Sequence, residues 1–127
     1  MTIISQGIDL IECPRIRQMW ERHGDRFTRR LLTDDELAYV RSHRDPVPRL
    51  AGRFAAKEAV LKVLGTGWRG KIAWRDMEIL NDEHGRPHVT LTGECRRIAD
   101  DLGITRVLVS ITHTENYAAA TAIGVGA

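Results

Sequence analysis

The run Leu50–Leu64, LAGRFAAKEAVLKVL, contains no proline and is rich in strong helix formers. At about 100° per residue its apolar side chains spread almost all the way round the axis. A helix without a wet face has to be buried, so the remaining elements must be arranged around it. Leu50, Phe54, Leu61 and Leu64 share one stripe, while Glu58 and Lys62, one turn apart, sit on another beside Ala51 and Ala55. The small alanines leave room there for a ligand. Spacing alone leaves two readings of the pair open. One is an i,i+4 ion pair on a partly exposed face, worth about 0.2–0.5 kcal/mol; the other is a carboxylate kept inside an apolar segment for chemistry.

A second acid interrupts an apolar run at the N-terminus. Ile3-Ile4 leads through Ser5-Gln6-Gly7-Ile8-Asp9 to Leu10-Ile11, which predicts a strand over residues 2–11. A glycine two residues before an aspartate in a buried strand points to close backbone approach. A strand-end carboxylate is a common ligand of hard cations, with a capping or turn aspartate as the plainer alternative.

Elsewhere the pattern predicts a helix over 14–23, opened by Pro14, and a short helix opened by the capping box Thr33-Asp34-Asp35-Glu36. Arg44–Pro48 breaks the chain before the long helix, and Gly65–Gly70 breaks it after. Asp76–Leu80 and Pro87–Leu91 flank the turn Asn81–Arg86 as a hairpin, followed by a helix over 93–102 with Gly103 as its stop. Arg106–Ile111 reads as a strand. Tyr117–Val125 is ambiguous by propensity and is read as a strand pairing with it through the turn His113–Asn116. The class is α+β, an antiparallel sheet with a long buried helix in one domain over 1–127. Met77, Ile79, Leu91, Val107, Val109 and Ile111 are assigned to the core, and Trp20, Trp68 and Trp74 to packing or a subunit interface.

Composition excludes several classes. Cys13 and Cys95 lie far apart and outside any Cys/His cluster, which argues against a structural zinc site. The start lacks a basic segment leading into a long apolar one, and no run approaches the ~20 apolar residues of a membrane span. No membrane association and a reducing, cytoplasmic setting are the expectations. A net charge of +2 is too mild for general nucleic-acid binding. The distribution is uneven, however: Arg15, Arg17, Arg22, Arg26, Arg29 and Arg30 crowd one region, and Arg15 and Arg22, at i and i+7, share a helix face. That face suits an acidic helix, or else is a solvated face of mixed charge with Glu12, Glu21 and Asp25.

Four ordered blocks, spanning nearly the whole chain, resemble the holo-acyl-carrier-protein synthases, which are 4′-phosphopantetheinyl transferases. They are Gly7-Ile8-Asp9; Leu50–Ala59 followed by Lys62; Gly65-Thr66-Gly67; and Ser110–Thr114 with Tyr117–Ala120. Phe54 stands where larger, two-domain relatives usually carry tryptophan, and Gln6 stands where a small or apolar residue is commoner. The resemblance implies the single-domain group, homotrimers with active sites shared between neighbouring subunits, and a role in fatty acid biosynthesis.

The implied reaction is attack by a serine hydroxyl of an acyl carrier protein on the β-phosphate of coenzyme A, releasing adenosine 3′,5′-bisphosphate. Positioning and electrostatic stabilisation carry most phosphoryl-transfer catalysis. Asp9 and Glu58 would hold Mg2+, which prefers oxygen ligands and is bound by one or two carboxylates plus substrate phosphates. Two carboxylates ~4 Å apart at an effective dielectric near 20 repel by about 4 kcal/mol, so the closeness that the resemblance implies argues for a cation. Lys62 would meet the diphosphate and neutralise the leaving phosphate, and Gly65 and Thr66 would let backbone amides approach the nucleotide. Arg53, His113, Thr114, His84 and Pro87 are implied to line the adenine and 3′-phosphate pocket from an adjacent subunit. Carrier proteins are acidic, so Arg15 and Arg22 are the expected docking residues. The general base stays open between Glu58 and a metal-bound water. Alternatives are a transferase acting on peptide- or polyketide-synthase carrier domains, and a non-catalytic module that binds nucleotides or acidic partners.

Overall fold

The structure, a computed structural model, describes residues 1–67 and 70–127. The element order is β1 (Thr2–Glu12), α1 (Cys13–His23), α2 (Asp25–Leu31), α3 (Asp34–Arg41), α4 (Val47–Leu64), a 3₁₀ turn (Trp74–Asp76), β2 (Met77–Asn81), β3 (Pro87–Leu91), α5 (Gly93–Asp101), β4 (Arg106–His113) and β5 (Tyr117–Gly126). Two antiparallel sheets form, one of three strands in the order β1-β5-β4 and the hairpin β2-β3. Tyr117–Gly126 is thus a strand, as expected, and takes the central place. Among the described residues no helix is long and apolar enough to cross a membrane.

The long helix lies across the inner face of the three-stranded sheet, where Ala55, Ala59, Val60 and Val63 join Ala120 and Ala122 in the core. It starts earlier than its sequence suggests, because proline is tolerated in the first helical turn and Pro48 sits there. Gly65 ends it with φ 76°, a left-handed cap that glycine adopts without strain. Gly7 sets the seating of strand on helix: a Cβ there would collide with the carbonyl oxygen of Ala59 and stand 2.8 Å from Lys62 Cβ. Close backbone approach at Gly7 is therefore what the strand needs.

Helix α2 was not foreseen. Its sequence, Asp-Arg-Phe-Thr-Arg-Arg-Leu, offers only Phe27 and Leu31 at helical spacing among charged residues, and it forms because Leu31, with Phe27 beside it, packs in a second core cluster with Cys13, Ile16, Leu32, Val40 and Leu50 while Thr28 is buried. Of the assigned core residues, Met77, Ile79 and Val107 are buried, whereas Leu91, Val109 and Ile111 pack against the core while half-buried. Trp20 and Trp74 also pack against the core, Trp74 stacking on Phe54 with 5.5 Å between centroids. Trp68 lies outside the described residues. Both cysteines are buried free thiols, and burial pushes the Cys95 thiol up to about 11.

The charged residue that α4 buries most deeply is not Glu58 but its neighbour. Lys57 and Glu36 are both 0% exposed, with Nζ 2.7 Å from Oε1. Lys57 also donates to the carbonyls of Leu31 (2.7 Å) and Trp74 (3.1 Å), while Glu36 accepts from the backbone N–H of Thr33 (2.9 Å) and of Ile79 (3.0 Å). The capping box read from Thr33–Glu36 is present, and its glutamate at the same time ties α3 to α4 and β2. Every polar atom of the pair has a partner, as burial demands.

Candidate active site

Alternation along β1 turns Ser5, Gly7, Asp9 and Ile11 toward α4. Asp9 pairs with Ala120 of β5, and Ala120 with Ile111 of β4, so the inner face beside Asp9 carries only a methyl group. Glu58 projects from α4 beside it. Burial pushes the Glu58 carboxyl up, and the negative charge of Asp9 pushes it further, against the pull of Lys62. Asp9 is also raised by burial, with Lys62 opposing. The Lys62 ammonium stands 3.6 Å from Asp9 Oδ1 and donates to the carbonyl of Ile8 at 2.7 Å. Of the two readings of Glu58 and Lys62, the helix-surface ion pair gives way, because Lys62 reaches across to the strand. Asp9 and Glu58 thus share one half-buried place, with the more exposed Lys62 ammonium tethered beside them to the strand.

That donor set suits a hard divalent cation completed by ligand oxygens and water. Among the described residues no group of three or more His, Cys, Asp and Glu gathers anywhere, so a closed protein cage for a softer metal is not what these side chains build. Gly65 and Thr66 follow directly at this end of α4; Gly67 has φ 62°, and the Thr66 hydroxyl donates to the Gly67 carbonyl at 2.9 Å.

A second feature lies toward the start of α4. A cleft of about 130 Å³ is lined by Tyr39, Arg49, Arg53, Asn81, Pro87 and His113, with Gly52 and Ile111 at its floor. The Arg53 guanidinium lies over the Tyr39 ring, 4.3 Å from its centroid, and donates to Asn81 Oδ1. Arg53 and Glu58 are five residues apart, so they point about 140° apart around the helix. The structure therefore gathers Arg53, His113 and Pro87 on one side of α4 and the acids on another. His84 is exposed at the tip of the β2–β3 turn, 3.5 Å from Glu83, and Thr114 closes the β4–β5 turn by exchanging hydrogen bonds with Tyr117. Neither of these two lines the cleft.

The profile of the 4′-phosphopantetheinyl transferase superfamily matches residues 5–122. The chain belongs to that superfamily. A holo-(acyl-carrier-protein) synthase of Koribacter versatilis is 45% identical over 121 residues, covering 95% of this chain and 97% of the relative. Among crystal structures, holo-(acyl-carrier-protein) synthase from Neisseria meningitidis superposes with a TM-score of 0.88 at 33% identity, over 98% of this chain and 99% of that one. The Bacillus anthracis synthase in complex with CoA (3′,5′-ADP) does so with a TM-score of 0.82 at 31% identity, over the full length of both. The α+β fold expected of the chain is the fold of these enzymes, and the chain is a phosphopantetheinyl transferase.

In this transferase Arg15 and Arg22 stand exposed on α1, and among the described residues neither is ion-paired, whereas Arg17 is engaged by Asp45 at 3.1 Å. Met19, Arg22 and His23 border a surface groove that continues along Arg26, Phe27 and Arg30 of α2. Sequence reasoning missed Arg49, Tyr39 and Asn81 in the cleft and Lys57 and Glu36 beneath the site. A signal existed for Arg49, which stands one helical turn before Arg53. Nothing local marks Asn81.

Proposed function

We propose that this transferase moves the 4′-phosphopantetheine group of coenzyme A to a serine of an apo acyl carrier protein. The serine oxygen bonds to the β-phosphorus, the bond from that phosphorus to the bridging oxygen breaks, the serine proton is lost, and adenosine 3′,5′-bisphosphate leaves. The observation that carries the reading is the pair of carboxylates, Asp9 and Glu58, converging in a half-buried place with Lys62 alongside. Asp9 and Glu58 would hold Mg2+. Bound there with the diphosphate, the ion would neutralise the charge that builds on the phosphoryl oxygens. Lys62, fixed by the Ile8 carbonyl and Asp9, presents its remaining positive charge to the leaving phosphate. Gly65 and Thr66 border the diphosphate, and Arg53, His113 and Pro87, together with His84 and Thr114, receive the adenosine end from an adjacent subunit.

The assembly we favour is a homotrimer. Two features support it: the acids and the nucleotide cleft face different sides of α4, and the outer face of the three-stranded sheet exposes large apolar side chains among its polar ones. Ile8 and Leu10 are each 65% exposed there, with Leu108 and Tyr117 on the same sheet. An exposed apolar patch of this kind marks an interaction surface. The carrier's acidic helix docks on Arg15 and Arg22, and the free, buried thiols suit a cytoplasmic enzyme.

The test is to incubate the protein with apo acyl carrier protein, coenzyme A and Mg2+, with and without chelator, and weigh the intact carrier. A Mg2+-dependent gain of one phosphopantetheine establishes the reaction. No gain with a carrier that a known transferase modifies would overturn it, and a panel of peptide- and polyketide-synthase carriers reads out the alternative substrates.

A further inference from the structure

We propose that Lys57 is a positioning residue of the transfer, whose buried ammonium ties α2, α3 and the Trp74–Asp76 turn to α4 and so registers the carrier-docking helices against Glu58. The inference rests on transfer to a carrier docked on α1 and α2, and adds how that docking surface is set relative to the acids. Lys57 and Glu58 are neighbours on α4, with Cα atoms about 3.8 Å apart, so whatever holds the lysine side chain sets the place of the carboxylate beside it. An ammonium has three N–H donors, and each here meets one acceptor. They are the Leu31 carbonyl at 2.7 Å, Glu36 Oε1 at 2.7 Å and the Trp74 carbonyl at 3.1 Å.

Each acceptor belongs to a segment around the site. Leu31 is the last residue of α2, where a helix leaves its final carbonyls without partners of its own. A cation suits that end, because the helix dipole is negative there. The same helix carries Arg26, Phe27 and Arg30 into the groove shared with Met19 and His23 of α1. Gly24 joins the two helices, its N–H donating to the Trp20 carbonyl at 2.7 Å and its carbonyl accepting from Phe27 at 3.1 Å. Trp74 stacks on Phe54, four residues before Glu58. Glu36 opens α3 through its capping box and accepts from Ile79 of β2 at 3.0 Å.

Apolar packing already holds these elements together, since Ile16 of α1, Leu31 of α2, Val40 of α3 and Leu50 of α4 share one cluster. That packing is non-directional, whereas hydrogen bonds weaken steeply off their preferred angles. A buried ion pair adds little stability over well-packed apolar residues of similar volume. What the ammonium supplies and a hydrocarbon cannot is a fixed register among three acceptors. The carrier serine is delivered from the α1–α2 side, and a misplacement of about 1 Å can cost about 100-fold in rate.

The experiment compares the wild-type chain with Lys57→Met/Glu36→Gln, which removes both buried charges together so that neither is stranded. Lys57→Gln is a second, single change that keeps a shorter donor, and Val107→Ala opens an ordinary cavity in the other core cluster as the control for lost stability. For each protein, sites are counted by calorimetric titration with coenzyme A in Mg2+, and carrier mass gives kcat and KM well below the thermal midpoint. The paired change is expected to lower kcat per coenzyme A site by about 10- to 100-fold, with Lys57→Gln between it and the wild type, while the Kd for coenzyme A stays within about twofold. Val107→Ala should lower the midpoint and leave kcat per site unchanged. Unchanged kcat per site in the Lys57 variants, an equal loss in Val107→Ala, or a loss of coenzyme A affinity in step with kcat would overturn the proposal. Absence of coenzyme A sites from both Lys57 variants would make the residue structural and overturn it as well. A wild-type chain that binds coenzyme A but modifies no competent carrier would instead overturn the transfer reading, and this proposal with it.

Discussion

Lys57 and Glu58 are adjacent on one helix, carry opposite charges, and live in opposite conditions. Lys57 is closed off from water and fully partnered, with a carboxylate and two carbonyls around its ammonium. Glu58 stands half-buried beside another acid and is pushed toward its protonated form. About 100° of helix rotation separates a charge whose every hydrogen bond is satisfied by the fold from one that the fold sets beside a second carboxylate. A buried ion pair is kept only when its remaining hydrogen bonds are made, while unsatisfied, mutually repelling groups mark places where binding or catalysis occurs.

The sharpest way to break this contrast is Lys57→Met. It strands the Glu36 carboxylate in the core and should lower the unfolding free energy by about 3–5 kcal/mol in urea titration. A loss under about 1 kcal/mol would remove the distinction between the two positions. Adding Glu36→Leu should recover only part, because the N–H groups of Thr33 and Ile79 then lose their acceptor. Glu58→Gln should do the reverse, cutting carrier modification by more than about 100-fold while the metal-free protein stays as stable or gains stability from relieved repulsion with Asp9. Destabilisation on the scale of Lys57→Met would show Glu58 to be structural.

Gly7→Ala tests how the two environments are kept apart. Its methyl would meet the Ala59 carbonyl and Lys62, costing about 1–3 kcal/mol and lifting β1, with Asp9, away from Glu58. Both the thermal midpoint and the transfer rate should fall, and loss of one without the other would uncouple seating from chemistry. The smallest expected effect belongs to the exposed arginines. Arg15→Glu or Arg22→Glu should raise the KM for carrier protein several-fold, more at low salt, and leave that for coenzyme A unchanged. Equal change in both constants would remove α1 as the docking face.

Much of this was legible in the chain. The all-round apolar run announced α4, the capping box announced α3, Gly7 announced a close approach, and the blocks around Asp9 and Glu58 pointed to the family. What stayed hidden was long-range. The Glu36–Lys57 bond joins residues 21 apart and the Arg49–His113 bond residues 64 apart, and neither separation has a period that a local pattern can register. Helix α2 was missed for the same reason, since tertiary burial of Thr28 and Leu31 overrides a charged sequence.

By itself, then, the sequence determined most of the helix and strand segments, α2 apart, because backbone hydrogen bonding and side-chain alternation repeat over a few residues. It also placed the two acids on elements able to carry them inward. The tertiary structure alone decided the rotation of α4 on the sheet, fixed by the contact of Gly7 with Ala59 and by the anchoring of Lys57 on Glu36. That rotation sends Lys57 into the core, brings Glu58 to Asp9, and turns Arg49 and Arg53 toward the cleft. Close packing admits few seatings of one surface on another, and these contacts, distant in sequence, exclude the rest.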